Sequence, residues 1–96
     1  MNISFAKSAI DDLEGIKKYY TEQGVSHIGI HFVTAIVEQV ETLAKHPDIG
    51  RMVPEFNDEL IRELIHTPFR VVYLRESSSI KVIRVWRSER SLNLPK

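Results

Sequence analysis

Cysteine is absent from the 96 residues, which excludes disulfides and thiolate metal sites outright. A chain without cysteine suits a reducing compartment, and the cytoplasm is the expected location. Long apolar runs are missing as well. The most apolar window, Ile28 to Val37, is broken by His31 and Thr34 and is too short to span a bilayer, so no membrane association is expected. The segment Met1 to Lys7 has no basic region followed by an apolar stretch, and no signal peptide is expected. Net charge is lacking too: 13 basic residues balance 13 acidic ones, so nothing steers the chain as a whole toward a polyanion. Direct nucleic-acid binding is therefore not expected. Internal repeats and linker-like stretches are also absent, and residues 1–96 read as a single domain.

What is present is the composition of an ordinary globule, 43% hydrophobic and 27% charged, neither disordered nor fibrous. Ile3 and Phe5 alternate with Asn2 and Ser4, the pattern of a short half-buried strand. Ser8-Ala9-Ile10-Asp11 resembles a helix start with Ser8 as N-cap, and Ile10, Leu13, Ile16 and Tyr20 follow at helical spacing. Asp11, Asp12 and Glu14 sit early and Lys17 and Lys18 late, which suits the helix dipole. Gly24 is a natural stop. A second helix is predicted from Ser26 to about Lys45, with Ile30, Val33, Val37, Val40 and Ala44 as its stripe, widened by Phe32, Ile36 and Leu43. His46-Pro47-Asp48-Ile49-Gly50 ends it. Three runs rich in β-branched and aromatic residues follow: Leu60–Ile65, Phe69–Leu74 and Ile80–Trp86. Thr67-Pro68 reverses the chain between the first two, and Glu76–Ser79 forms a polar hairpin loop before the third. The order strand–helix–helix–three strands predicts an α+β domain, an antiparallel helix hairpin packed on a mainly antiparallel four-stranded sheet.

That order, at this length, resembles the RelE/ParE toxin superfamily. The resemblance is carried by Ala9-x-x-Asp12-Leu13-x-x-Ile16-x-x-Tyr19 and by Leu43-x-x-His46-Pro47-x-x-Gly50-Arg51. Ile61-Arg62-Glu63-Leu64, Phe69-Arg70-Val71-Val72-Tyr73 and Val82-Ile83-Arg84-Val85-Trp86 extend it, and Arg87-Ser88-Glu89-Arg90 closes it. Nearly the whole chain is covered, and the joint order of the motifs is more specific than any one of them. The resemblance implies a toxin of a type II toxin–antitoxin system, held silent by a cognate antitoxin in a hetero-oligomer. No cofactor and no metal are implied.

Two activities follow from the resemblance. RelE-like members cleave messenger RNA on the ribosome, and ParE-like members poison DNA gyrase. Cleaving RNA through its own 2′-hydroxyl requires a group to deprotonate that hydroxyl, cations at the crowded phosphate and an acid for the leaving oxygen. The resemblance puts these roles on strand lysines and arginines and on a C-terminal tyrosine. Here Arg70 matches, while Ile61, Glu63, Ser88 and Leu94 stand where the other groups belong. A shifted alignment brings Arg87 or Arg90 toward the distal arginine position. Together with the neutral charge, this favours a gyrase-directed protein without bond-making chemistry. The alternatives are a ribosome-dependent mRNA endonuclease, in which Arg70 is catalytic, and a degenerate, non-toxic antitoxin-binding protein.

Target contacts are expected at Arg70, Arg84, Trp86, Arg87 and Arg90, since tryptophan and arginine anchor interfaces. The plainer alternative is that Arg70 and Arg84 each brace a carboxylate such as Glu63 or Glu89, and that Trp86 belongs to the core. Whether the two arginines share a sheet face depends on the hairpin loop. A three-residue loop sets them opposite one another, and a loop of two or four sends them to opposite faces. His27 and His31, four apart on a helix, lack a third ligand at a convincing spacing, and no metal site is expected. His46 and His66 read as surface residues beside loops.

Overall fold

Alternation over Asn2–Phe5 produces a first strand, β1, and the helical spacing that follows produces α1, Lys7–Glu22. The computed structural model describes residues 1–88. The buried stripe of α1 is Ala9, Leu13 and Ile16, whereas Ile10 is 47% exposed. Leu13, Ile16 and the partly buried Tyr20 keep their expected places, and only the first turn differs, where Ala9 packs inward in place of Ile10. Ser8 does not cap the helix either. Ala6 occupies the cap position without a side-chain bond, and Ser8 Oγ donates instead to the carbonyl of Ile83 at 2.6 Å. The helix ends as expected at Gly24, with φ at +79°. The N–H of Gly24 bonds Thr21 O and that of Val25 bonds Tyr20 O, the paired C-terminal closure that a left-handed glycine permits.

The second helix, α2, runs over Ser26–Glu41 and then tightens into a 3-10 turn, Thr42–Ala44. Ile36, Val40 and Leu43 are fully buried, but Ile30 is 56% exposed and lies off the core side of the stripe. Phe32 joins the core through rings: its centroid is 5.2 Å from Phe69 and 5.6 Å from Tyr20.

The sheet has five strands where the sequence pattern predicts four. Arg51–Met52 forms β2, followed by β3 Ile61–His66, β4 Phe69–Arg75 and β5 Ser79–Arg87, in the order β1-β5-β4-β3-β2. Two residues are too few to carry an alternation, so β2 left no signal in the sequence. β1 lies parallel to β5 and the other pairs are antiparallel. Leu64, Phe69, Val71, Tyr73, Ile80, Val82 and Val85 meet the helices in one apolar cluster. Among the described residues, no helix is long and apolar enough to cross a membrane.

The hairpin between β4 and β5 decides which side chains share a face. Arg75 pairs with Ile80, with the four residues Glu76–Ser79 between them, a count that alone would send Arg70 and Arg84 to opposite faces. Val72 pairs with Arg84 but Tyr73 pairs with Val82, so Ile83 is an extra residue in β5 and shifts the register by one. The bulge reverses the parity. Arg70 comes to lie opposite Trp86, and Arg70, Arg84 and Trp86 leave the sheet on the side away from the helices. The segment 53–60 crosses that side as a strap.

Past Phe5 the outer edge of β5 has no strand beside it, and the start of α1 takes over the hydrogen bonding. The Ala6 N–H bonds Val82 O at 2.8 Å, Ser8 bonds Ile83 O, and the Asp12 carboxylate accepts the Val85 N–H at 2.8 Å. Ser8 and Asp12, four apart on one helix face, therefore replace the strand that β1 is too short to supply.

Candidate functional site

Arginine in the middle of an apolar strand must reach solvent or be paired, because a lone buried charge is costly. Arg70 is paired twice. Its Nε donates to Glu63 Oε1 at 2.6 Å, and both Nη atoms donate to the Glu55 carboxylate at 2.9 Å. Glu63, whose side chain is fully buried, also accepts from Arg51 Nε at 2.6 Å. The four side chains form a row, Arg51–Glu63–Arg70–Glu55, running from β2 across β3 and β4 to the strap. The guanidinium of Arg70 holds the Glu55 carboxyl down from 4.5 to about 2, and the same bond raises Arg70 further above its ordinary range. The expectation that Arg70 braces Glu63 matches this geometry. Glu55 lies outside every periodic segment, so nothing in the sequence drew attention to it.

Arg84 is paired with Asp12 rather than Glu89. Its Nε and Nη2 reach the two carboxylate oxygens at 2.8 and 3.1 Å, raising the guanidinium pKa. Asp12 is thus a tie between α1 and β5, a role that helix electrostatics does not describe. The signal available in the sequence was its i, i+4 spacing from Ser8. We expect Asp12→Ala to cost about 2 kcal/mol in urea unfolding, since it frees a buried backbone N–H as well as the ion pair. Asp12→Asn, which can still accept from Val85, should cost less. A loss below about 0.5 kcal/mol for the alanine variant would contradict the edge-closing role.

Trp86 is only partly buried and lies outside the apolar cluster. The guanidinium of Arg84 stands 5.2 Å from its ring centroid, and the ring of Phe56, on the strap, lies 6.5 Å away. Arg87 is on the helix side, 5.6 Å over the ring of Phe69. Asp12, Tyr19, Tyr20, Arg84, Trp86 and Arg87 line a cleft of about 440 Å³ between α1 and the end of β5. The register sets Arg70, Arg84 and Trp86 on one face and Arg87 on the other, but at the edge of β5 the Arg84 guanidinium turns back to Asp12 and joins Trp86 and Arg87 in the cleft beside α1. Arg90 and Leu94 lie outside the described residues.

No group of three His, Cys, Asp or Glu residues gathers to hold a metal among the described residues. His66 is not the surface loop residue that was expected. It is the last residue of β3, partly buried, with Nδ1 2.9 Å from Gln39 Oε1 and its ring edge-on to Phe32.

Behind the sheet, Tyr73 fixes the segment that leads from α2 to β2. Its hydroxyl donates to Pro47 O at 2.9 Å and accepts the Gly50 N–H at 3.0 Å, while burial raises its pKa. Arg62 adds a bond from Nη1 to Gly50 O at 3.0 Å.

Comparison with known proteins adds two observations to this geometry. The family model described as ParE toxin of type II toxin–antitoxin system, parDE, matches residues 3–92. A chain from a solved structure described as the chromosomal ParDE TA system from P. aeruginosa is similar at 25% identity, with a TM-score of 0.76 over 91% of this chain and 95% of that one. No curated protein matches the chain.

Proposed function

Because the chain belongs to the ParE toxin family of type II toxin–antitoxin systems, we propose that it acts by binding and inhibiting DNA gyrase and is neutralised by a cognate antitoxin. The observation that carries this reading is the state of the open sheet face. Stabilising a phosphate in transit requires cations aimed at the position where charge develops. Here Glu63 is buried between Arg51 and Arg70, and Glu55 takes a bond from each of the two Nη atoms of Arg70. Two arginines and two carboxylates cancel where a ribonuclease would keep free positive charge. Ile61 and Ser88 carry no ionisable group, and the Glu63 carboxylate is buried and bonded to two guanidiniums rather than open to a substrate hydroxyl.

The face suits recognition instead. Trp86, stacked under Arg84 and flanked by Phe56, is an aromatic anchor of the kind that dominates protein interfaces. In this reading Arg84 and Trp86 touch the target and Arg70 positions the strap. Arg87, at the end of β5 on the helix side, is a further candidate contact, and Arg90 is one on its sequence position alone. The antitoxin forms a hetero-oligomer with the chain and blocks access to gyrase.

The reading is tested with purified chain, gyrase and relaxed plasmid. We expect supercoiling to stop and cleaved gyrase–DNA complexes to accumulate, with relief on adding the antitoxin. Intact supercoiling beside cleaved messenger RNA in a translation extract would instead establish the ribonuclease alternative.

A further inference from the structure

The two carboxylates on Arg70 are held in different ways. Glu63 belongs to β3, is fully buried and receives Nε, so it is a fixed part of the sheet. Glu55 belongs to the exposed strap, its side chain is 30% exposed, and it takes both Nη donors in a parallel fork. A guanidinium fork accepts any carboxylate or phosphate in this geometry, so nothing in that contact is specific to Glu55.

The strap is bonded in a way that permits exchange. Phe56 and Asn57 N–H both bond back to Val53 O, inside the strap itself. Its backbone bonds to the strands lie toward its two ends, Val53 N–H to Ile61 O at the root and, at the far end, Ile61 N–H to Asp58 O and Arg75 N–H to Leu60 O. Residues 54–60 are exposed, while Val53 at the root is fully buried. Lifting the middle of the strap therefore parts Glu55 from Arg70 and Phe56 from Trp86, and leaves these end bonds in place.

We infer that the Nη face of Arg70 is an exchangeable carboxylate site, closed in the free chain by Glu55 and taken by an acidic side chain of a protein partner when the strap lifts. That the partner is a protein rests on the reading of the chain as a binding toxin. Charge favours a single carboxylate. With Glu55 withdrawn, Arg51, Arg70 and Glu63 leave one net positive charge, too little to hold a run of phosphates. The surroundings agree: Phe56 and Ile65, each 46% exposed, and Trp86 border the site with apolar surface suited to a protein contact. Glu55 then acts as a competitor, and a partner's affinity is reduced by the fraction of chains in which the strap is closed.

The test uses the isolated chain with Glu55→Ala, and formate as a probe carboxylate against chloride at equal ionic strength. Formate at about ten times its dissociation constant should raise the Tm of this variant by roughly 7 °C. The wild type, whose fork is filled, and Glu55→Ala/Arg70→Lys, which lacks the fork, should show no comparable rise. Glu55→Ser serves in the same way if the alanine variant does not fold. No response beyond chloride overturns the site. A larger rise with inorganic phosphate or a short oligoribonucleotide than with formate overturns the assignment to a protein carboxylate. Formate rescue in a chain that leaves gyrase untouched upholds the site and removes the gyrase reading; inhibition of gyrase without rescue does the reverse.

Discussion

Gly50→Ala should lower the Tm by roughly 15 °C, the equivalent of about 3 kcal/mol in a chain of this size. A Cβ at position 50 would stand 2.5 Å from Tyr73 Oη, 2.7 Å from Tyr73 Cε1 and 2.8 Å from the carbonyl oxygen of Glu63. None of these atoms is the free end of a flexible chain. The tyrosine is fully buried and bonded to Pro47 and Gly50, and the carbonyl is part of β3. Relief must come from moving the 46–50 segment, which breaks the bonds that Tyr73 and Arg62 make to it. Tyr73→Phe alone should cost about 1–2 kcal/mol, through the unsatisfied Gly50 N–H and Pro47 carbonyl. In the Gly50→Ala background the same change should cost much less, because it also removes the closest clash. Thermal unfolding of the two single variants and the double decides the matter, and simple additivity would show that the two positions do not collide.

The second large effect concerns Arg70. Arg70→Met should destabilise the chain by about 3–5 kcal/mol, because it strands the buried Glu63 with only the partly exposed Arg51 for a partner. Removing both buried charges in Glu63→Leu/Arg70→Met should restore most of that loss, since Glu55 and Arg51 can then turn to water. Equal instability of the single and double variants would mean that the ion pair is not the source. The pH profile gives an independent readout. Glu55 titrates at about 2 in the folded chain against an ordinary 4.5, so the stability it contributes is complete above about pH 5. That contribution is lost as the pH falls from about 4.5 toward 2, and the direction is fixed because a lowered carboxyl pKa means that the folded state prefers the ionised form. Urea unfolding between about pH 2 and 6 should show this acid limb in the wild type and a weaker one in Arg70→Met.

The features that a sequence displays through periodicity were readable here, and those made by single contacts were not. The helix hairpin, the Gly24 closure and the three long strands each repeat a pattern over many residues, so composition and spacing announce them. In the first turn of α1 the core takes Ala9 rather than Ile10, and spacing could not choose between them because both stand at a helical interval from Leu13. Ser8 looked like a cap because its local neighbours allow one, yet a carbonyl 75 residues away claims its hydroxyl. Arg70 was visible as a charge in an apolar run, and its buried partner Glu63 was legible from β-strand context. Glu55 was invisible for the opposite reason: the strap has no periodicity, so only the folded chain brings its carboxylate under Arg70. The composition did anticipate the outcome in one respect. Thirteen positive and thirteen negative charges meant no overall steering toward a polyanion, and the row Arg51–Glu63–Arg70–Glu55 is balanced in the same way.

The bulge at Ile83 lets an irregular spacing of apolar residues serve one face of the sheet. The four residues between Arg75 and Ile80 contribute one inversion of facing and the bulge contributes a second, and together they leave Arg84 and Trp86 beside Arg70. The apolar residues of β5 hold that facing: Ile80, Val82 and Val85 stand two and three places apart, and the extra residue at Ile83 lets all three turn toward the helices. A residue added to Glu76–Ser79 can be taken up in a longer loop with these pairs unchanged, so the loop tolerates a change of length that the interval between Val82 and Val85 does not.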